Sequence, residues 1–100
     1  MPSPQSAAAR ILGERVKDAR TAKGLSQEDA AALAEMHVTN FGKIERGQAN
    51  PSLTTIVRIA GVLEIDPGTL VRGIKLGDLP PRSHQLTATD LIKARKAQAG

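Results

Sequence analysis

From Ala8 to Lys23 apolar residues return at helical intervals, Leu12, Val16 and Ala19, with Arg15, Lys17, Asp18 and Lys23 between them. That is the pattern of a helix with one face turned to a core. Gly24 stands where such a helix needs a left-handed residue to end. Ser26, with Asp29 three positions on, is a start signal, since the hydroxyl can accept from the Asp29 amide while the Asp29 carboxylate reaches back to the Ser26 amide. The second helix is rich in alanine (Ala30, Ala31, Ala32 and Ala34), which favours helix and lets a neighbouring helix approach closely. Glu35, Met36 and His37 interrupt it. A third helix, over about Val38 to Arg46, puts Val38, Phe41 and Ile44 on one side and is ended by Gly47.

Asn50-Pro51-Ser52 opens a fourth helix, because the residue before proline resists helical geometry and Ser52 is a good cap. Its predicted buried stripe is Leu53, Ile56, Val57, Ala60 and Leu63. Asp66-Pro67 begins a fifth, with Ile65 and Leu70 as a hydrophobic staple. Gly77 to Ser83, with Pro80 and Pro81, reads as a linker, after which Leu86, Thr87, Asp90 and Leu91 repeat the cap-and-staple pattern ahead of a short basic helix to about Ala99, marginal by itself. No stretch alternates as a strand would. The expectation is an all-α fold: residues 1–7 as a flexible arm, 8–76 as a five-helix domain, and 77–100 as linker and basic tail with a short sixth helix.

Composition narrows the partners. One hundred residues suit a single small domain. Phe41 is the one aromatic residue, so the core must be aliphatic and the chain lacks the platforms that stack single-stranded bases, leaving duplex DNA open. Fourteen Lys and Arg against ten Asp and Glu give a net charge of +4, compatible with a polyanionic partner without requiring one. The segment around the second and third helices is itself locally acidic. The absence of cysteine excludes disulfides, thiolate zinc sites and a cysteine nucleophile and suits a reducing cytoplasm. No apolar run approaches the ~20 residues of a membrane span, and Met1 to Ser6 does not read as a signal peptide. His37 and His84 have no metal-ligand spacing with carboxylates, and neither a phosphate loop nor a nucleophile motif occurs. No enzyme activity, cofactor, metal or membrane is expected.

Leu25-Ser26-Gln27-Glu28-Asp29, then Lys43-Ile44-Glu45-Arg46-Gly47 and Asn50-Pro51-Ser52-Leu53, resemble the Cro/cI-type helix-turn-helix family, also called the xenobiotic-response-element family, over about Leu12 to Leu70. The resemblance implies a phage-repressor-like five-helix fold in a sequence-specific regulator of transcription, a repressor, whose third helix enters the major groove of double-stranded DNA. By position, it assigns His37, Val38, Thr39, Gly42 and Lys43 to the groove. Thr39 would bond a base edge or touch a thymine methyl group, and Lys43 would reach guanine acceptors or a phosphate. Val38 would either meet a thymine methyl group or tuck between the helices. Gln27, Asn40, Arg46 and Asn50 match phosphate-contacting positions, against the plainer reading of each as solvated surface. Arg20 and Glu45 match a partly buried ion pair that ties the first helix to the reader, which makes Arg20 structural and not a DNA contact.

Three residues depart from the family pattern. Its usual turn glycine is Glu35, for which left-handed geometry is costly. Its usual serine cap is His37, a poor cap, which would move the start of the reader toward Thr39. Gly42 sits in mid-helix, at about 1 kcal/mol against alanine, as though a phosphate or base passed close. One reader helix covers few base pairs, so a homodimer is expected, with Leu70, Val71, Ile74 and Leu76 as the apolar residues available for it. The tail, with Lys93, Arg95 and Lys96, could add unspecific phosphate attraction. It also supports a rival reading, in which the chain is a protein-interaction module such as the antitoxin of a toxin–antitoxin pair, bound to a protein partner through the tail.

Overall fold

The computed structural model describes residues 3–80 and 87–99. Among them lie six α-helices: α1 (Ala7–Ala22), α2 (Gln27–Leu33), α3 (Val38–Glu45), α4 (Leu53–Val62), α5 (Pro67–Val71) and α6 (Ala88–Ala99), with a short 3₁₀ turn at Leu76–Asp78. The core is Leu12 and Val16 of α1, Ala30 and Ala31 of α2 with Ala34 behind them, Phe41 and Ile44 of α3, Ile59 and Ala60 of α4 with Leu63, and Leu70 of α5. The expected all-α architecture is the observed one.

Helix ends follow from local chemistry. Ser6, Ser26 and Ser52 each accept from the amide three residues on, Asp66 accepts from Gly68, and Ser26 with Asp29 completes the reciprocal box. Helices α1 to α4 all close alike. The first residue past the cap turns left-handed (Gly24 at φ 75°, Glu35 at 54°, Gly47 at 73°, Glu64 at 58°), and the next amide bonds back to a carbonyl five residues earlier. The residues donating that second bond include Leu25, Met36 and Ile65, which pack against the core, so one local motif both ends each helix and anchors the connection.

Three expectations change. The segment 1–7 expected as an arm overlaps α1, which starts at Ala7, and Gln5 bonds the turn after α3, its amide to the Gly47 carbonyl at 2.8 Å and its Nε2 to the Gln48 carbonyl at 3.3 Å. Leu53 and Val57 were placed in the α4 stripe, yet they are 76% and 47% exposed. Ile56, Ile59, Ala60 and Leu63 face inward instead, because burying Ile59 rotates the apolar face by about half a residue step. The Gly77 to Ser83 linker begins with the 3₁₀ turn, in which Lys75 N–H donates to Asp78. Pro81, Ser83, His84 and Leu86 fall outside the described residues, while Thr87 and Asp90 do form the reciprocal cap foreseen for the tail.

Candidate nucleic-acid interface

Helix α3 is held from behind by three contacts. Phe41 and Ile44 enter the core. Gly13 of α1 lets the two helices touch backbone to backbone: a β-carbon there would fall within hard contact of the Ile44 carbonyl and 2.5 Å from that of Glu45. Glu45, its side chain 2% exposed, forms a fork with Arg20, Nε to Oε2 at 2.6 Å and Nη2 to Oε1 at 3.0 Å. Arg20 also donates Nη1 to the Leu25 carbonyl at 2.8 Å, so one guanidinium braces the end of α1, the entry to α2 and the back of α3. The hydrogen bonds that Arg20 donates to Glu45 hold its guanidinium above its ordinary pKa, against the opposing desolvation and with help from the Glu45 and Glu28 charges. The pair foreseen from the sequence is present, with both partners largely buried.

The opposite side of α3 faces outward. At 100° per residue, Thr39, Gly42, Lys43 and Arg46 fall within about a third of the helix circumference, and Thr39, Lys43 and Arg46 are exposed, with Asn40 at the edge. His37 is the N-cap, its Nδ1 accepting from the Thr39 amide at 3.1 Å, so the helix starts at Val38 and not at Thr39 as a poor cap had suggested. Val38 is half-buried, with one side packed against the core. Glu35 does take the strained left-handed turn.

Gln27 is less free than the sequence suggested. Its Nε2 donates to Glu45 Oε1 at 2.8 Å, which fixes the amide at the α2–α3 seam. Gly42 is buried beneath its neighbours' side chains instead of open to an approaching backbone. Asn50 is exposed in the connection to α4. The structure thus brings Gln27, Thr39, Asn40, Lys43 and Arg46 to one side around α3, with His37 and Asn50 near its two ends. Of the four residues expected at a dimer interface, Leu70 is spent in the core; Val71 and Leu76 are exposed and Ile74 is half-buried. Sequence reasoning missed Gly13, whose signal was a glycine inside an amphipathic helix. It also missed Arg15, whose Nη1 donates to the carbonyls of Arg72 at 2.7 Å and Leu70 at 3.2 Å and so caps α5 from α1. Among the described residues no group of His, Asp and Glu could hold a metal ion, and no helix is long and apolar enough to cross a membrane.

Comparison with known proteins places this geometry. A helix-turn-helix family model matches residues 16–70. The chain is 44% identical to the restriction-modification controller protein C.AhdI of Aeromonas hydrophila, superposing with a TM-score of 0.61 over 62% of this chain and 94% of that one. It is 37% identical over 67 residues to the control protein C.SmaI of Serratia marcescens, covering 65% of this chain and 80% of the relative. It is 35% identical over 63 residues to the SPbeta prophage-derived HTH-type transcriptional regulator YonR of Bacillus subtilis, which is 63% of this chain but only 58% of YonR's length.

Proposed function

Because the chain belongs to the Cro/cI-type helix-turn-helix family, we propose that it is a sequence-specific regulator of transcription, a repressor, that binds double-stranded DNA as a cytoplasmic homodimer. One observation carries this reading: α3 is fixed from behind by Phe41, Ile44 and the Arg20–Glu45 fork while Thr39, Lys43 and Arg46 stand exposed along its other side. A rigid helix with a polar outer row is what major-groove reading requires. Thr39 and Lys43 reach base edges, with His37 at the tip of the helix. Gln27, Asn40 and Asn50 bond phosphates, Gln27 through the amide that Glu45 already orients.

Affinity for duplex DNA then comes from two copies set on half-sites about 34 to 36 Å apart. Val71, Ile74 and Leu76, those of the expected interface residues still available at the surface, supply the contact between them. Sedimentation with and without duplex DNA tests both halves of the reading. Two copies per bound duplex support it. A monomer at tens of micromolar in both conditions contradicts the dimer, and equal affinity for every duplex contradicts sequence-specific regulation.

Helix α6 favours a second, subordinate reading as an interaction module of the antitoxin kind. Every residue of its span is exposed, and a twelve-residue helix is marginal without burial. Its Lys93, Arg95 and Lys96 otherwise add only unspecific attraction to phosphate. Removing residues 87–99 separates the two: unchanged dimerisation and an unchanged salt slope leave DNA binding to the body of the protein.

A further inference from the structure

Side chains on a helix lean toward its N-terminus, so a long side chain leaving position 46 lies over position 42, one turn earlier. At that point the chain has glycine. A β-carbon on Gly42 would stand 2.9 Å from Nη1 and 3.6 Å from Cζ of Arg46, so the guanidinium occupies the space that an alanine methyl group would fill. The same β-carbon would lie 3.6 Å from Gln27 Oε1, which closes the recess from α2. Arg46 Nε is engaged as well, donating to Gln48 Oε1 at 3.1 Å. An exposed arginine at a helix end would ordinarily sample many rotamers; this one is held on two sides.

We propose that Gly42 seats the Arg46 guanidinium on the outward side of α3 and thereby makes Arg46 a reader of guanine, not a clamp on phosphate. The inference rests on the DNA-binding reading above and adds a specificity residue to it. With Nε turned to Gln48, the terminal nitrogens form the edge of a planar fork that matches the N7 and O6 acceptors of guanine in the major groove. At 100° per residue the seat lies about 60° round the helix from Thr39 and about 100° from Lys43, at the edge of the row assigned to base edges, while position 46 itself falls about 20° from Thr39. Holding the fork before binding removes part of the ordering cost that a free arginine would incur. The mid-helix glycine, unfavourable for the helix, is then explained by what lies upon it.

Three variants test this: Arg46→Lys keeps the charge and removes the fork, Arg46→Ala removes both, and Gly42→Ala fills the seat. The last is tolerated by the fold, because the methyl group meets the end of a flexible side chain and not backbone. Bound sequences are selected from random duplexes with each protein, and thermal midpoints are taken alongside. The wild type should select guanine at one position in each half-site. Arg46→Lys, Arg46→Ala and Gly42→Ala should each lose about tenfold to a hundredfold of that preference and keep the others, with the Gly42→Ala midpoint at or above that of the wild type. Wild-type preference in Gly42→Ala overturns the proposal. So does an Arg46→Lys indistinguishable from wild type beside an Arg46→Ala that weakens all duplexes alike and makes the salt slope shallower by about 0.9, the mark of a phosphate contact. A wild-type protein that selects no sequence instead defeats the DNA-binding reading itself, and the inference with it.

Discussion

Replacing Arg20 by methionine leaves the Glu45 carboxylate, 2% exposed, with the Gln27 amide as its remaining donor among those described. Arg20 is itself only 11% exposed, so both charges have given up most of their hydration in return for each other. Removing one partner of such a pair costs about 3 to 5 kcal/mol, since the other stays buried and unpaired. In a domain of this size each kcal/mol moves the thermal midpoint by about 4 to 8 °C, so Arg20→Met should lower it by at least about 12 °C. Glu45→Leu strands the guanidinium and should cost a similar amount. The double variant Arg20→Met/Glu45→Leu removes both charges and should recover to within about 2 kcal/mol of wild type, because a well-packed apolar replacement of a buried pair is often neutral or better. Urea unfolding of the four proteins, followed by circular dichroism, measures the coupling directly. The exposed Arg10–Glu14 pair, 49% and 59% accessible, is the control, and Glu14→Ala should change stability by no more than about 0.5 kcal/mol. Additive single losses, or an Arg20→Met cost under about 1 kcal/mol, would refute the view that this fork holds α3 in place.

Further outcomes follow from single positions. Gly13→Ala should destabilise by about 1 to 3 kcal/mol through overpacking against the α3 backbone, whereas Gly61→Ala in α4, with nothing within 4 Å of the added carbon, should stabilise by up to about 1 kcal/mol; a pair of thermal melts decides it. Glu35→Gly should raise stability by up to about 1 kcal/mol, because it relieves a left-handed residue at φ 54°, and a lowered midpoint would mean the side chain contributes more than its strain costs. Val71→Asp and Leu76→Asp alter exposed apolar side chains and should leave the folded monomer intact while weakening self-association at least about tenfold in sedimentation.

What could be read from the sequence was mostly local. Ser26 with Asp29, Asn50-Pro51-Ser52 and Asp66-Pro67 each hold a complete instruction within four residues, and each helix start they mark is where the structure has it. Gly24 and Gly47 marked two helix ends, but Glu64 ends α4 in the same geometry without a glycine to announce it. What escaped was set by partners distant in the chain. Arg15 bonds carbonyls more than fifty residues away, Gln5 bonds the turn after α3, and the Gln27 amide is held by Glu45, 18 residues on. The inward face of α4 depended on which of several apolar residues met α5, and Leu53 and Val57 could not be told from Ile59 by spacing alone. At the candidate site the family pattern supplied the direction of Thr39 and Lys43, while the position of the Arg46 guanidinium over Gly42 is set by contacts with Gly42 and Gln48 that spacing does not show.

In the function proposed above, duplex DNA is read by the outward row of α3. Its most direct test is competition titration at physiological salt, with labelled duplexes taken from a random-sequence selection and scrambled duplexes as competitors, on the wild type, Thr39→Ala and Lys43→Ala. The wild type should prefer its selected site by about a thousandfold or more, and each variant should lose discrimination at defined base positions while binding scrambled DNA much as before. Failure to enrich any sequence, or variants that weaken selected and scrambled duplexes equally, would contradict it.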